Sequence, residues 1–146
     1  MKKSLIITFI AVLTFSCQSK VASTDIPKIN GYWEIERVDL PDGDHKEYRM
    51  NEVYDFFEIK KNKGFRKKLM PQLDGTFLAN DASEQVEIIK SDDKDFLKFK
   101  TEYATWQEEL ISISEKEMIL LSNKNIEYQY KKTAPINLLD DGKTNK

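Results

Sequence analysis

The sequence predicts an all-β protein, either an antiparallel sandwich or a closed barrel. From residue 31 onward, short runs rich in β-branched and aromatic residues alternate with tight-turn signals. The runs are four to eight residues long and recur about every ten residues, which is typical of antiparallel strands joined by short turns. We expect about eight to nine short strands. A chain of 146 residues is the length of one domain.

The first predicted strand covers residues 32–40 and changes its apolar face midway. Trp33 and Ile35 lie on one face, whereas Val38 and Leu40 lie on the other. Because side chains alternate with a period of two along a strand, this change predicts a β-bulge between the two pairs.

The later strands are predicted from the same alternation. In residues 53–60, Asp55 shares a face with Phe57, and the loop at 61–64 ends in Gly64, which is available for a positive φ. The remaining strands are predicted for residues 47–50, 65–70, 76–79, 85–89, 96–100, 118–121 and 126–131.

Residues 101–110 allow two interpretations. Tyr103, Trp106 and Leu110 have helical spacing, but in a strand Trp106 and Leu110 would share a face with Glu108. The alternation that follows this stretch favours a strand. We therefore predict a strand throughout, with a helix as the alternative.

The first residues have the order of a secretory signal peptide. A basic start is followed by an uncharged, mostly apolar run over residues 5–15, and then by Ser16 and Cys17. That run is shorter than the about 20 apolar residues a spanning helix needs. We predict a signal peptide over residues 1–16 and a flexible polar tether over residues 17–27.

The stretch that ends at Cys17 resembles a bacterial lipobox, with the loosened form found in Bacteroidota. The resemblance implies that Cys17 is acylated and that the protein is anchored in the membrane of the cell envelope. Two or three acyl chains anchor a protein stably. No acidic run follows Cys17, so we expect an outer-membrane lipoprotein that faces the periplasm rather than the cell surface.

Composition excludes several classes of function. The net charge of −2 argues against a general nucleic-acid binder, so we expect no nucleic-acid partner. One cysteine and one histidine exclude a disulfide framework and a multi-thiolate or two-imidazole metal site. No nucleotide-binding or hydrolase fingerprint is present, so we expect neither an enzyme nor a cofactor. No spacing selects a catalytic pair among the carboxylates, which are Glu34, Glu36, Asp55, Glu58, Glu108 and Glu109.

The segment Gly31-Tyr32-Trp33 gives the sequence a family resemblance. A G-x-W on the first strand of an all-β meander resembles the lipocalin and calycin superfamily, and more closely the small lipocalin-like lipoproteins of Bacteroidota. The resemblance implies a small antiparallel meander barrel over residues 28–132, followed by a tail over 133–146. It also implies that Trp33 closes the barrel floor and that a basic residue of a late strand, Lys131 or Lys132, packs across it.

Two uses of the aromatic residues remain open: rings that line a ligand pocket, or rings that fill a packed core. If Arg66 points inward, it can bind a carboxylate ligand in bidentate fashion. The basic hairpin around Arg66 is either an anion-binding patch or a solvated edge. The candidate ligand-binding residues are Trp33, Asp55, Phe57, Arg66 and Trp106.

The predicted function is therefore that of a membrane-anchored envelope lipoprotein that binds a small apolar or amphipathic ligand. The alternative is a structural or interaction lipoprotein with a packed core, which binds an envelope protein or glycan.

Overall fold

The computed structural model of the chain describes residues 21–74, 76–79 and 82–134. One short 3-10 helix, Ile26–Ile29, precedes the first strand. Ten strands follow within the described residues: β1 (Gly31–Asp39), β2 (His45–Glu47), β3 (Tyr54–Lys60), β4 (Lys63–Pro71), β5 (Phe77–Ala79), β6 (Glu84–Ser91), β7 (Lys94–Lys100), β8 (Thr105–Ile113), β9 (Glu117–Ser122) and β10 (Glu127–Thr133). The predicted signal peptide, Cys17 and most of the C-terminal tail lie outside the described residues.

Eight of the strands close into an antiparallel barrel, in the order β1-β3-β4-β6-β7-β8-β9-β10. Strand β10 pairs with β1 and completes the ring, with Trp33 opposite Lys132. The short strand β2 pairs with β1, and the short strand β5 pairs with β4. Closure pairs the barrel's first and last strands, which an open sandwich would leave as edges. The predicted all-β meander barrel is confirmed, and the sandwich alternative is wrong.

The predicted bulge in the first strand is confirmed. The pairing of β1 with β10 shifts register between Ile35 and Arg37. Both Trp33 and Val38 are consequently buried, although they are an odd number of residues apart. The bulge therefore lets one strand direct both apolar ends of its sequence into the barrel.

Two predicted strands differ from the structure by more than two residues at a boundary. Strand β2 begins at His45 because the Leu40 amide donates a 2.8 Å hydrogen bond to the Asp44 carbonyl and closes the turn early. Residues 101–104 form a turn, held by the amide of Ala104, which donates to Thr101 Oγ1 at 3.0 Å. Strand β8 then begins at Thr105, so the strand interpretation is right only for the second part of residues 101–110.

Gly64 serves a different purpose from the predicted one. In the β3–β4 hairpin the positive φ, 59°, belongs to Lys61, whereas Gly64 has an ordinary strand φ. A Cβ at Gly64 would overlap the backbone of Glu58 and Ile59. Glycine is required here because two strands approach closely and not because the turn is left-handed.

The two ends of the barrel differ. One end, which we call the floor, is covered by the 3-10 helix. Asn30 ties the helix to β3, because its Nδ2 donates to the Ile59 carbonyl at 3.0 Å and its Oδ1 accepts from the Ile59 amide at 2.6 Å. The opposite end, which we call the rim, is formed by the connections β1–β3, β4–β6, β7–β8 and β9–β10. No helix in the described part of the chain is long and apolar enough to cross a membrane.

Candidate functional site

The floor is organised around Trp33, whose side chain is fully buried. Its indole Nε1 donates a 2.7 Å hydrogen bond to the Ile29 carbonyl. Lys132 Nζ lies 5.0 Å from the centroid of the indole ring, which is a cation–π geometry. Lys131 instead pairs with Glu34 at 3.3 Å. Lys132 is therefore the basic residue that packs across the tryptophan, and Trp33 belongs to the floor.

Most of the interior is apolar. Buried side chains from the helix and the strands form one continuous cluster there, against which Trp106 and Tyr128 also pack. The cluster comprises Ile26, Ile29, Trp33, Phe57, Ile59, Val86, Ile88, Leu97, Phe99, Leu110, Met118, Leu120 and Tyr130.

Polar side chains also lie inside the barrel. On strands β3, β4, β6, β8 and β10 the alternation brings a polar side chain inward. These five side chains, which we call the polar cluster, are Asp55, Arg66, Glu84, Glu108 and Tyr130. A polar group is therefore embedded among the apolar side chains of the interior.

Arg66 is the buried cation of the polar cluster. Its side chain bonds to the Glu84 carboxylate, and its guanidinium carbon lies 4.3 Å from the centroid of the Phe99 ring. Burial opposes the charge, but the bond to Glu84 and the negative charge of Asp55 outweigh it and raise the pKa of Arg66. Arg66 thus points inward, and because its guanidinium already pairs with Glu84, a ligand carboxylate would have to compete with Glu84 for it.

Asp55 has its own partner. The carboxylate is 4% exposed, and Lys68 Nζ donates to its Oδ1 at 2.8 Å. The Lys68 side chain is about half exposed, so this pair connects the buried cluster with the solvent at the rim.

Glu108 is the member of the polar cluster without a full set of partners. Its side chain is 9% exposed, and its Oε2 has no hydrogen-bond partner among the described residues. Burial raises the pKa of Glu108. The positive charge of Arg66 and a side-chain hydrogen-bonding interaction with Trp106 work against that shift, whereas the charges of Asp55 and Glu84 reinforce it. A buried polar atom without a partner costs free energy, which a bound group could recover.

Aromatic side chains surround the polar cluster. Trp106 stacks on Phe99 with 5.3 Å between ring centroids and 15° between planes. Burial raises the pKa of Tyr128, and it raises the pKa of Tyr130 well above the ordinary value for a phenol. Both phenols therefore remain neutral at physiological pH and offer hydrogen bonds without charge.

The rim carries exposed apolar side chains. Every large hydrophobic residue that is exposed in the described part of the chain lies on or beside the rim. They are Leu40, Met50, Val53, Met70, Leu73, Leu78 and Tyr103. Such a concentration of apolar surface at one end marks an interaction site or the entrance to a binding site.

The predicted basic patch on the β3–β4 hairpin is divided in the structure. Arg66 faces inward, while Lys60 pairs with Glu58 at 3.3 Å and Lys63 pairs with Glu87 at 3.4 Å. These partners neutralise much of the charge, which favours the interpretation as a solvated edge.

The five predicted ligand-binding residues all point inward, but they fall into two groups. Trp33 lies in the floor. Asp55 and Arg66 belong to the polar cluster, and Phe57 and Trp106 lie beside it. Glu84 and Glu108 are not among the predicted ligand-binding residues. For Glu108 a signal existed, since its alternation with Trp106 and Leu110 places it on the buried face. The described residues contain no group of His, Cys, Asp and Glu side chains that could hold a metal ion.

Comparison with known proteins identifies structural similarity only. No protein-family profile matches the chain, and no curated protein matches its sequence. Among solved structures, apocrustacyanin C1 superposes with a TM-score of 0.50 at 11% identity, over 77% of this chain and 64% of that protein. A lipocalin-like protein from Bacteroides uniformis superposes with a TM-score of 0.47 at 10% identity, over 73% of this chain and 99% of that protein. Together with the closed topology, the similarity to apocrustacyanin C1 identifies the fold as a lipocalin-like β-barrel.

Proposed function

We propose that the barrel binds a small amphipathic molecule, which enters at the rim and places its polar end at Glu108. The observation that carries this proposal is the buried Glu108 Oε2, which has no partner among the described residues. A ligand that supplies the missing hydrogen bond would recover about 1–3 kcal/mol of desolvation cost.

The combination of apolar and polar side chains inside the barrel supports an amphipathic ligand over a purely apolar one. An apolar body would contact the rings near Phe57 and Phe99, while a polar end would meet Glu108. Sites for small molecules commonly combine apolar walls with a few polar groups that set the ligand's orientation.

The rim supports the proposed route of entry. Apolar side chains such as Met50, Leu73 and Tyr103 are about nine-tenths exposed there. They offer apolar contact to a molecule that leaves water, before it reaches the interior.

Intrinsic fluorescence tests binding, because the chain has two tryptophans in different surroundings. Trp106 lies beside the polar cluster and Trp33 lies in the floor. We expect decanol or another decyl amphiphile to cause a saturable change in emission that persists in Trp33→Phe and is lost in Trp106→Phe. Isothermal calorimetry on both variants separates loss of signal from loss of binding. Absence of saturable binding for every decyl amphiphile, whatever its head group, would contradict the proposal.

We also propose that this barrel is a lipoprotein, anchored through Cys17 in the outer membrane and facing the periplasm. The support is the order of a basic start, an apolar run and a terminal cysteine in the first seventeen residues. Expression with labelled palmitate in a bacterial host should label the wild type but not Cys17→Ser. Equal labelling of both proteins, or of neither, would reject the anchor without affecting the ligand proposal.

The exposed rim favours a second candidate function, which is contact with a protein of the cell envelope. The variant Met50→Glu/Leu73→Glu alters the rim and leaves the interior unchanged. If the rim is a protein interface, cross-linking in the native host should yield a defined adduct with the wild type only, and ligand binding should be absent from both proteins.

A further inference from the structure

This inference rests on the proposed binding of a ligand inside the barrel. We infer that the ligand's polar end is a protonated amine, held by Glu108, and that the site discriminates against carboxylates.

Among the described residues, the charged side chains inside the barrel form two ion pairs and leave one acidic group without a cation of its own. Arg66 bonds to Glu84, and Lys68 bonds to Asp55 at 2.8 Å. Each of these cations therefore has an anionic partner of its own. Glu108 is the acidic group left over, and its Oε2 accepts no hydrogen bond from the described residues. An ammonium group would supply both the missing donor and the missing positive charge.

The arrangement opposes an anionic ligand. A carboxylate placed beside Glu108 would meet three acidic side chains, those of Asp55, Glu84 and Glu108, against the two cations Arg66 and Lys68. It would also compete with Glu84 for the guanidinium of Arg66. Like charges in a partly desolvated site repel strongly, so a carboxylate binds only by displacing an existing ion pair.

The aromatic surroundings favour a cation over a neutral polar group. Trp106 and Glu108 project from the same face of β8. The negative charge of Glu108 also contributes to the raised pKa of Tyr128. Rings beside an anionic group form the kind of environment that attracts organic cations, because the faces of the rings carry partial negative charge. A hydroxyl group can donate to Oε2, but it gains neither the ion pair nor the cation–π attraction.

A series of ligands that share one chain and differ in the head group tests the inference. Decylamine, decanol and decanoate are titrated into the full-length protein by isothermal calorimetry at about pH 8, where the amine is protonated and most carboxylates are ionised. We expect decylamine to bind at least about tenfold more tightly than decanol, and decanoate to bind most weakly.

Two variants on β8 test whether Glu108 causes the preference for an amine. Glu108→Gln should weaken decylamine binding about tenfold and leave decanol binding unchanged, so that decanol also reports that the variant is folded. Glu109→Gln is the matched control, because Glu109 points outward and pairs with Lys94 at 2.9 Å. It should leave all three affinities unchanged.

The outcomes separate this inference from the proposed function. If decanoate binds most tightly, or if Glu108→Gln leaves the affinity for decylamine intact, the inference is wrong while binding inside the barrel stands. If none of the three compounds binds, both this inference and the proposed function are wrong. The ranking in the wild type requires no variant, so the test holds even if Glu108→Gln does not fold.

Discussion

Lys132 lies across Trp33, with its Nζ 5.0 Å from the centroid of the indole ring, and the same Nζ donates a 2.7 Å hydrogen bond to the Lys28 carbonyl. One side chain of the last strand thereby joins the tryptophan of the first strand to the helix that covers the floor. The fold partly removes this ammonium from water, and this burial lowers the pKa of Lys132. The contact thus completes the closure of the barrel at its floor.

Replacing Lys132 should therefore weaken the floor. Lys132→Ala loses the cation–π contact and the bond to Lys28, so we expect the free energy of unfolding to fall by about 1–2 kcal/mol in urea titrations. Lys131→Ala is the control, because Lys131 pairs with Glu34 in a partly exposed position and its loss should cost under about 1 kcal/mol. Equal losses in the two variants would contradict a special role for Lys132.

Glu108 should make stability depend on pH. Because its pKa is raised in the folded state, the folded protein binds more protons than the unfolded chain in the interval between the two pKa values. The protonated Glu108 carboxyl stabilises the folded state fully below the pKa of Glu108 in the unfolded chain. This stabilisation is lost as the pH rises through the pKa of Glu108 in the folded state. We expect Glu108→Gln to be more stable than the wild type by about 1 kcal/mol at neutral pH.

Urea titrations across pH check this expectation. The advantage of Glu108→Gln should disappear below about pH 4, where the wild-type carboxyl is neutral. Glu109→Gln, which alters the outward neighbour, should show no such gain. A constant difference between Glu108→Gln and the wild type at every pH would show that Glu108 does not titrate in this way.

The pair of Arg66 and Glu84 should be strongly coupled. Arg66→Leu leaves buried acidic groups without their cation, so we expect a loss of about 3 kcal/mol in the free energy of unfolding. The double variant Arg66→Leu/Glu84→Leu should lose less than the sum of the single variants, with a coupling of about 1–3 kcal/mol. Chemical denaturation of all four proteins measures this, and simple additivity would contradict the pairing.

Gly64 and Gly43 test two different reasons for a glycine. Gly64→Ala forces a methyl group against the Glu58 carbonyl, so we expect a loss of about 3 kcal/mol. Gly43 has a φ of +88° in an open turn with nothing within 4 Å of the added methyl, so Gly43→Ala should cost only about 1 kcal/mol. Thermal unfolding compares the two, and a larger loss at Gly43 would refute the explanation for Gly64.

Much of the strand pattern was predictable because alternation is a local property. The inward position of Asp55 and Phe57, and the bulge after Ile35, follow from which residues stand two apart in the sequence. The true purpose of Gly64 was not predictable, since the clash that excludes a side chain comes from the neighbouring strand. For the same reason the sequence does not distinguish Lys131 from Lys132 as the residue that packs across Trp33.

The amino-acid sequence alone determined the fold class, most of the strands and the candidate rings and charges, because each of these depends on residues that are close in the chain. The tertiary structure alone decided how those charges are matched. It placed Glu84 beside Arg66 and Lys68 beside Asp55, and it left Glu108 Oε2 without a hydrogen-bond partner in the part of the chain that the structure describes. The physical reason is that an ion pair across strands depends on register and on closure of the barrel, which join residues distant in the sequence.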